Sequence, residues 1–81
     1  MITVVLADDH TIVRQGIRAL LEAEKDISIV GETDNGLGAV EMVGQLQPDI
    51  LVLDLMMGGV NGLEVTRRIR CYSENTGIVI L

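Results

Sequence analysis

The 81 residues of this chain provide enough length for one domain, and 48% of them are hydrophobic, which excludes a disordered tail. Twelve acidic residues outnumber six basic ones, and the resulting formal charge of −6 repels the phosphates of nucleic acids. Tyr72 is the single aromatic residue, so the stacking platforms that bind single-stranded nucleic acids are excluded as well.

The first half of the chain alternates strand and helix patterns. Residues 2–7 form a β-branched apolar run, which predicts a buried strand. From Thr11 to Glu24 apolar residues recur at helical spacing and predict an amphipathic helix. These residues are Val13, Ile17, Leu20 and Leu21. A second strand is predicted over residues 27–30, ending at Gly31, and the turn at residues 34–36 opens a second helix.

The second half of the chain continues this alternation. The apolar face of the second helix is predicted to comprise Ala39, Val43 and Leu46. Pro48 ends that helix, and residues 50–54 form an apolar run that suits a central parallel strand. A third helix is predicted to begin at Asn61, because a capping residue there is followed three positions later by Glu64. Residues 78–81 form the fourth predicted strand.

The order β-α-β-α-β-α-β predicts an α/β fold with a parallel sheet and right-handed crossovers. No linker interrupts the pattern, so we interpret residues 1–81 as parts of a single domain. Cys71 is the single cysteine, which indicates a reducing compartment. The sequence lacks a signal peptide pattern and a membrane-spanning run, and we therefore expect a cytoplasmic location without membrane contact.

Three aspartates follow strands of the predicted sheet. Asp8 and Asp9 end the first strand, and Asp54 ends the third. In an open parallel sheet, ligands bind at the carboxyl ends of the strands where the winding direction switches, here between strands 1 and 3. Two carboxylates about 5 Å apart repel by roughly 3 kcal/mol, so the group needs a cation or a proton. Hard oxygen ligands with room for water and phosphate suit Mg²⁺.

Other interpretations of these acids explain less. Asp9 could cap a helix and Asp54 could start a turn, but this does not account for their pairing at the switch point. Nucleotide-binding folds need glycines after the first strand, where this chain has Asp8-Asp9-His10. A haloacid dehalogenase-type phosphatase or a Toprim nuclease needs a second acid at Met56, and a small metal-dependent hydrolase lacks a second nucleophile or base.

Several short motifs occur at the spacing of a known family. They are Asp8-Asp9, Asp54-Leu55-Met56-Met57 and Asn61-Gly62. Together they resemble the receiver domains of two-component response regulators. A second set resembles the branch with a LuxR/NarL-type helix-turn-helix output. It comprises Asp8-Asp9-His10, Val13-Arg14, Gly16, Val30-Gly31-Glu32 and Asn35-Gly36. The resemblance covers the whole chain and implies a flavodoxin-like, doubly wound sheet of order 2-1-3-4-5, of which this chain holds four strands.

The resemblance also implies a chemistry. Asp54 would accept a phosphoryl group from a sensor histidine kinase. Asp9 and Asp54 would bind Mg²⁺ directly, with the backbone carbonyl of Met56 as a third ligand and Asp8 acting through water. His10 is interpreted as a residue at the rim of the site, since the transferred group comes from the histidine of the kinase. DNA would be contacted only through a helix-turn-helix domain that is absent from this chain.

The chain departs from the family pattern in two places. Gly58-Gly59 stand where family members usually carry proline, which predicts a less constrained loop. The family's switch Ser/Thr and lysine would follow Leu81, and Lys25 is predicted to lie at the opposite end of the sheet from the acids. The alternative interpretation is therefore a truncated receiver that serves only as an interaction module. In either case the edge at residues 78–81 predicts a homodimer, through edge pairing or exchange of an element.

Overall fold

The elements of the fold follow the predicted alternation. The computed structural model describes residues 1–54 and 61–81. In chain order the elements are β1 (Ile2–Ala7), α1 (Thr11–Glu22), β2 (Ile27–Thr33), α2 (Gly36–Leu46), β3 (Ile50–Leu53), α3 (Gly62–Tyr72) and β4 (Gly77–Ile80). Each element lies within a few residues of its predicted position, and β4 begins one residue earlier than predicted.

The four strands of the described ranges form one parallel sheet in the order β2-β1-β3-β4. A helix makes each crossover between consecutive strands, as parallel pairing requires. The winding direction changes between β1 and β3, which pair from Val4 with Ile50 to Ala7 with Leu53. The predicted switch point is therefore present, and it lies at the carboxyl ends of these two central strands.

The main core lies between one face of the sheet and helices α2 and α3. Its residues are Val5, Ala7, Ala39, Val43, Leu51, Leu53, Val65 and Ile69, each at most 1% exposed. Side chains alternate along a strand, so every second residue of β1 and β3 faces this core. The core is wholly aliphatic, as the composition requires, and it fixes the two strands that carry the acids.

Helix α1 is less buried than its apolar stripe suggests. The structure describes all twelve residues of α1, and none of them is buried. Ile17 and Leu21 are half-buried, whereas Val13 and Leu20 are exposed. Among the described elements, α1 packs mainly against β1 and β2, so only one side of the helix meets the sheet. The periodicity correctly predicted the helix, but it did not predict how much of the stripe is covered.

Strand β2 does not end at Gly31 as predicted but continues to Thr33. The pairing with β1 shifts between Val4 and Val5, and the register passes over Val30. Val30 is thus the extra residue of a β-bulge, and Gly31 resumes the pairing directly after it. Glycine inside a strand is often found at such a bulge. Gly31 therefore lies beside a register shift within β2 and does not end the strand.

Helix α2 begins at the predicted turn. The Asn35 side chain accepts a hydrogen bond from the backbone N–H of Gly38 at 2.7 Å. A Cβ at Gly38 would collide with the side chain of Thr33, so glycine permits the close approach of α2 and β2. Two of the three predicted apolar residues of α2 belong to the core, whereas Leu46 is exposed because it lies in the last turn.

Helix α3 begins with a cap at the predicted residue. The Asn61 side chain accepts a hydrogen bond from the backbone N–H of Leu63 at 2.8 Å. Glu64 pairs with Arg67 and Arg68 along the helix. No helix in the described ranges is long and apolar enough to cross a membrane.

Candidate functional site

The backbone places two aspartates side by side at the carboxyl end of the sheet. Asp8 follows β1 and Asp54 follows β3, and each continues the sheet by one hydrogen bond. The N–H of Asp8 donates to the carbonyl of Thr33 at 3.1 Å, and the N–H of Asp54 donates to the carbonyl of Ala7 at 3.0 Å. These main-chain hydrogen bonds fix the backbone positions of both residues, independently of any side-chain contact.

The side chains of Asp8, Asp9, His10 and Asp54 form a single cluster, which we call the acidic cluster. One ligand atom from each lies within 4.8 Å of the others. The convergence predicted for the three acids is therefore observed. The Asp8 side chain is 4% exposed, that of Asp54 is 13% exposed, and that of Asp9 is 33% exposed. Burial increases from the outer carboxylate of Asp9 to the inner one of Asp8.

The Asp8 carboxylate combines burial with an unfilled position. Its Oδ1 accepts a hydrogen bond from the backbone N–H of His10 at 2.8 Å. Its Oδ2 is buried and finds no hydrogen-bond partner among the residues that the structure describes. A buried polar atom without a partner costs free energy, and such atoms occur where a ligand completes a site.

His10, which the sequence placed at the rim of the site, contacts all three carboxylates from that position. Its Nδ1 lies 3.0 Å from Asp9 Oδ1, 3.3 Å from Asp8 Oδ1 and 3.5 Å from Asp54 Oδ2. The charge of Asp9, followed by the hydrogen bond to Asp8, raises the pKa of His10 above its ordinary value of 6.5. The imidazole is still 60% exposed, so it forms the outer wall of the acidic cluster.

The interpretation of Asp9 as a helix cap is not supported. The N-cap of α1 is His10, and its side chain makes no capping hydrogen bond to the described amides of the helix. The side chains of both residues instead turn towards the acidic cluster.

Arg14 is a neighbour of the cluster that the sequence reasoning missed. Its Nη1 donates a hydrogen bond to the carbonyl oxygen of Asp8 at 2.6 Å, and its Nε lies 3.3 Å from Glu32 Oε1 on β2. Arg18 also pairs with Glu32. Arg14 lies four residues after His10, the N-cap of α1, and this spacing was the available signal that the two lie on the same side of the start of the helix.

The remaining predicted site residues fall into two groups. Met56, whose carbonyl was predicted as a ligand, lies outside the described residues, and so does Gly58-Gly59. Lys25 lies in the turn before β2, at the amino end of the sheet and far from Asp54, as predicted. It cannot act at the acidic cluster.

Comparison with known proteins identifies the family. Residues 4–81 match the response regulator receiver domain. The chain belongs to this family. The receiver is 41% identical over 81 residues to the transcriptional regulatory protein LiaR of Bacillus subtilis (strain 168), a match that covers 100% of this chain and 38% of LiaR. The chain thus spans little more than a third of the length of this curated relative.

Solved structures agree with both the fold and the branch. A two-component response regulator of the LuxR family from Aurantimonas sp. SI85-9A1 matches with a TM-score of 0.90 and 37% identity, covering 96% of this receiver and 56% of that chain. RcsB from Salmonella enterica serovar Typhimurium, bound to promoter rprA in the presence of the phosphomimetic BeF3⁻, matches with a TM-score of 0.88 and 29% identity. That match covers 99% of this receiver and 68% of the RcsB chain. The predicted flavodoxin-like fold and LuxR/NarL-type family are therefore confirmed.

Proposed function

We propose that this receiver accepts a phosphoryl group on the carboxylate of Asp54, from the phosphohistidine of a sensor histidine kinase. The observation that carries the proposal is the position of Asp54 at the switch point, within the acidic cluster and beside the buried Asp8. The Asp54 side chain is partly exposed, which leaves a path for an incoming phosphoryl group.

The proposed cofactor is Mg²⁺, held directly by Asp9 and Asp54 and by the backbone carbonyl of Met56, with Asp8 acting through water. The donor set fits this ion, because Mg²⁺ prefers hard oxygen ligands and retains several waters. The unpartnered Oδ2 of Asp8 supports the assignment, since a metal-bound water would give this buried oxygen a hydrogen bond. When bound, Mg²⁺ supplies positive charge that offsets the charges of the carboxylates and of the phosphoryl oxygens.

In the proposed transfer step, the chain's own residues supply the nucleophile and hold it in position. An oxygen of the ionised Asp54 carboxylate forms a bond to phosphorus while the bond from phosphorus to the kinase histidine nitrogen breaks, and the imidazole keeps that electron pair. The backbone hydrogen bond from Asp54 to Ala7 holds the nucleophile in place. Arg14 fixes the main chain at Asp8, so that the neighbouring carboxylates keep their positions. The product is an acyl phosphate, and the receiver acts as an acceptor and not as a turnover enzyme.

Intact mass spectrometry tests the acceptor. After incubation with Mg²⁺ and acetyl phosphate, a small phosphoryl donor, we expect the mass of one added phosphoryl group. Asp54→Asn should abolish the label. The matched control is Asp26→Asn, because Asp26 lies in the turn at the opposite end of the sheet and should leave labelling unchanged. Stoichiometric labelling of the Asp54→Asn variant would overturn the assignment.

In the whole protein, we propose that phosphorylation of this receiver controls a DNA-binding output domain. LiaR is a transcriptional regulatory protein, and RcsB is seen on promoter DNA, which supports this role by analogy. The formal charge of −6 argues against DNA contact by residues 1–81 themselves. A cytoplasmic location belongs to the same proposal, and the single cysteine is consistent with it.

A second candidate function, a dimerisation module, is favoured by the edge of the sheet. In the described sheet β4 pairs with β3 alone, and Val79, Ile80 and Leu81 are exposed. An apolar strand edge is a template for a second chain, so in a protein limited to residues 1–81 two copies would pair along β4 or exchange an element. Sedimentation velocity should then detect a dimer that Val79→Lys dissociates, whereas Leu63→Lys, at an exposed position of α3, should leave the dimer intact. A monomer at all micromolar concentrations would rule this candidate out.

A further inference from the structure

The acidic cluster contains a nitrogen ligand as well as three carboxylates. We propose that it also binds a divalent transition ion of the Zn²⁺ class, with His10 Nδ1 as a ligand beside Asp8, Asp9 and Asp54. This inference rests on the proposed metal site and extends it to a second class of ion. It assigns to His10 a role that the phosphotransfer proposal does not use.

The positions of the donor atoms support a shared coordination sphere. For metal–ligand distances near 2.1 Å, neighbouring ligand atoms lie about 3.0 Å apart in an octahedron and about 3.4 Å apart in a tetrahedron. His10 Nδ1 lies 3.0, 3.3 and 3.5 Å from one oxygen of Asp9, Asp8 and Asp54, respectively. The imidazole nitrogen is therefore spaced from each carboxylate as ligands of one ion are spaced from each other.

The buried carboxylate of Asp8 gives a second, independent indication of a ligand. Its side chain is 4% exposed and directs Oδ1 to within 3.3 Å of His10 Nδ1. Its Oδ2 lacks a hydrogen-bond partner within residues 1–54 and 61–81. A structural aspartate at this depth would have its oxygens satisfied by the protein, so the unfilled position points to a ligand from outside the chain.

The donor set predicts that His10 contributes to the binding of transition ions but not to the binding of Mg²⁺. Imidazole nitrogen is a good ligand for Zn²⁺, Co²⁺, Ni²⁺ and Cu²⁺, whereas Mg²⁺ takes oxygen ligands and water. Removing His10 should therefore weaken the binding of a transition ion while leaving Mg²⁺ binding nearly unchanged. Removing a carboxylate should weaken both. An ion held by His10 would occupy the same carboxylates as Mg²⁺ and would exclude it from the site.

The experiment follows the imidazole directly. His10 is the single histidine of the chain, so the imidazole ¹⁵N resonances can be assigned to it directly. The titrations use a Cys71→Ser background, because the exposed thiol of Cys71 is another ligand for Zn²⁺. We expect Zn²⁺ to shift the Nδ1 resonance strongly and Mg²⁺ to shift it little. Calorimetry should give a loss of Zn²⁺ affinity of roughly tenfold or more for His10→Gln, and a change of Mg²⁺ affinity within about twofold.

His10→Gln should leave the fold intact, because the imidazole is largely exposed and makes no capping hydrogen bond to the described start of α1. Unchanged Zn²⁺ affinity in this variant, or an Nδ1 resonance that does not respond to Zn²⁺, would overturn the inference. Zn²⁺ binding through His10 combined with failure of Asp54 labelling would support the inference and refute the proposed phosphotransfer. The two proposals therefore fail separately.

Discussion

Aspartate has opposite roles at the two ends of the sheet. At the amino end, Asp49 accepts hydrogen bonds from the backbone N–H and the hydroxyl of Thr3, at 2.9 and 3.2 Å, and its own N–H donates to that hydroxyl at 3.0 Å. At the carboxyl end, Asp8 is buried among like charges and keeps an oxygen without a partner in the described part of the chain. The first arrangement joins β1 to β3, and the second leaves capacity for a ligand.

Other polar groups at the amino end are also satisfied. The buried hydroxyls of Ser73 and Thr76 lie 2.6 Å apart, and Thr76 Oγ1 donates to the carbonyl of Pro48 at 2.8 Å. This network joins the end of α3 to the segments that enter β3 and β4. The comparison teaches that burial alone does not distinguish a structural polar residue from a functional one. What distinguishes them is whether the protein itself fills their hydrogen-bonding positions.

The largest expected effect comes from removing a carboxylate of the acidic cluster. Asp9→Asn should lower Mg²⁺ affinity by roughly tenfold or more, because it removes a charged ligand of the proposed site. The thermal midpoint without metal should stay the same or rise, since one source of like-charge repulsion is gone. Calorimetry and thermal unfolding measure the two quantities, with Asp26→Asn as the control. If Asp9→Asn loses stability and keeps its Mg²⁺ affinity, Asp9 has a structural role and is not a ligand of the metal.

The matching change at the amino end is Thr76→Val, which keeps the shape of the side chain and removes its hydroxyl. It leaves the Ser73 hydroxyl and the Pro48 carbonyl without their shared partner, so the free energy of unfolding should fall by about 1–3 kcal/mol. Mg²⁺ affinity should not change. Thr66→Val is the control, because the Thr66 hydroxyl donates to the carbonyl of Gly62 at 2.9 Å, within α3, and has no other hydrogen bond to the residues that the structure describes. If urea unfolding shows that both variants lose the same free energy of unfolding, the buried network contributes no more to stability than a hydrogen bond within a helix.

The sequence predicted the acidic cluster because its determinants are local. Apolar runs locate the ends of β1 and β3, and parallel pairing then brings Asp8, Asp9 and Asp54 together without knowledge of any side-chain contact. The orientation of His10 was not predictable in this way, since it depends on carboxylates from two different strands. A lone histidine at the start of a helix carries no signal that its ring contacts three of them.

The fold shows the same division between local and non-local information. The sequence predicts that β2 ends at Gly31, whereas the strand continues to Thr33, because the register shift beside Gly31 depends on pairing with β1, which is distant in the sequence. The exposure of Leu20 and Leu46 was also missed, because periodicity predicts a helix and its apolar face but not the area that a neighbour covers. Local sequence patterns therefore do not predict a residue's environment where other elements of the fold determine it.

A smaller effect is expected from Arg14, which connects the acidic cluster to the helix layer. Arg14→Gln removes the hydrogen bond to the Asp8 carbonyl and should lower Mg²⁺ affinity by about tenfold or less, since it acts through position and not through ligation. Arg18→Gln is a matched control, because it also removes one positive charge that pairs with Glu32. If both variants lose affinity equally, the effect is one of charge and Arg14 does not position Asp8.

The smallest expected effect is a change in acid stability from Asp49. The backbone hydrogen bond from Thr3, followed by that from its hydroxyl, lowers the pKa of Asp49 below the ordinary value of 3.8. A carboxyl whose pKa is lower in the folded state stabilises the protein above its unfolded pKa, and this contribution is lost as the pH falls through the folded value. Asp49→Asn should therefore be less stable than the wild type at neutral pH, by a margin that shrinks below about pH 4. Urea unfolding midpoints across this range measure that margin, and a margin independent of pH would mean that the charge of Asp49 contributes nothing beyond its hydrogen-bonding shape.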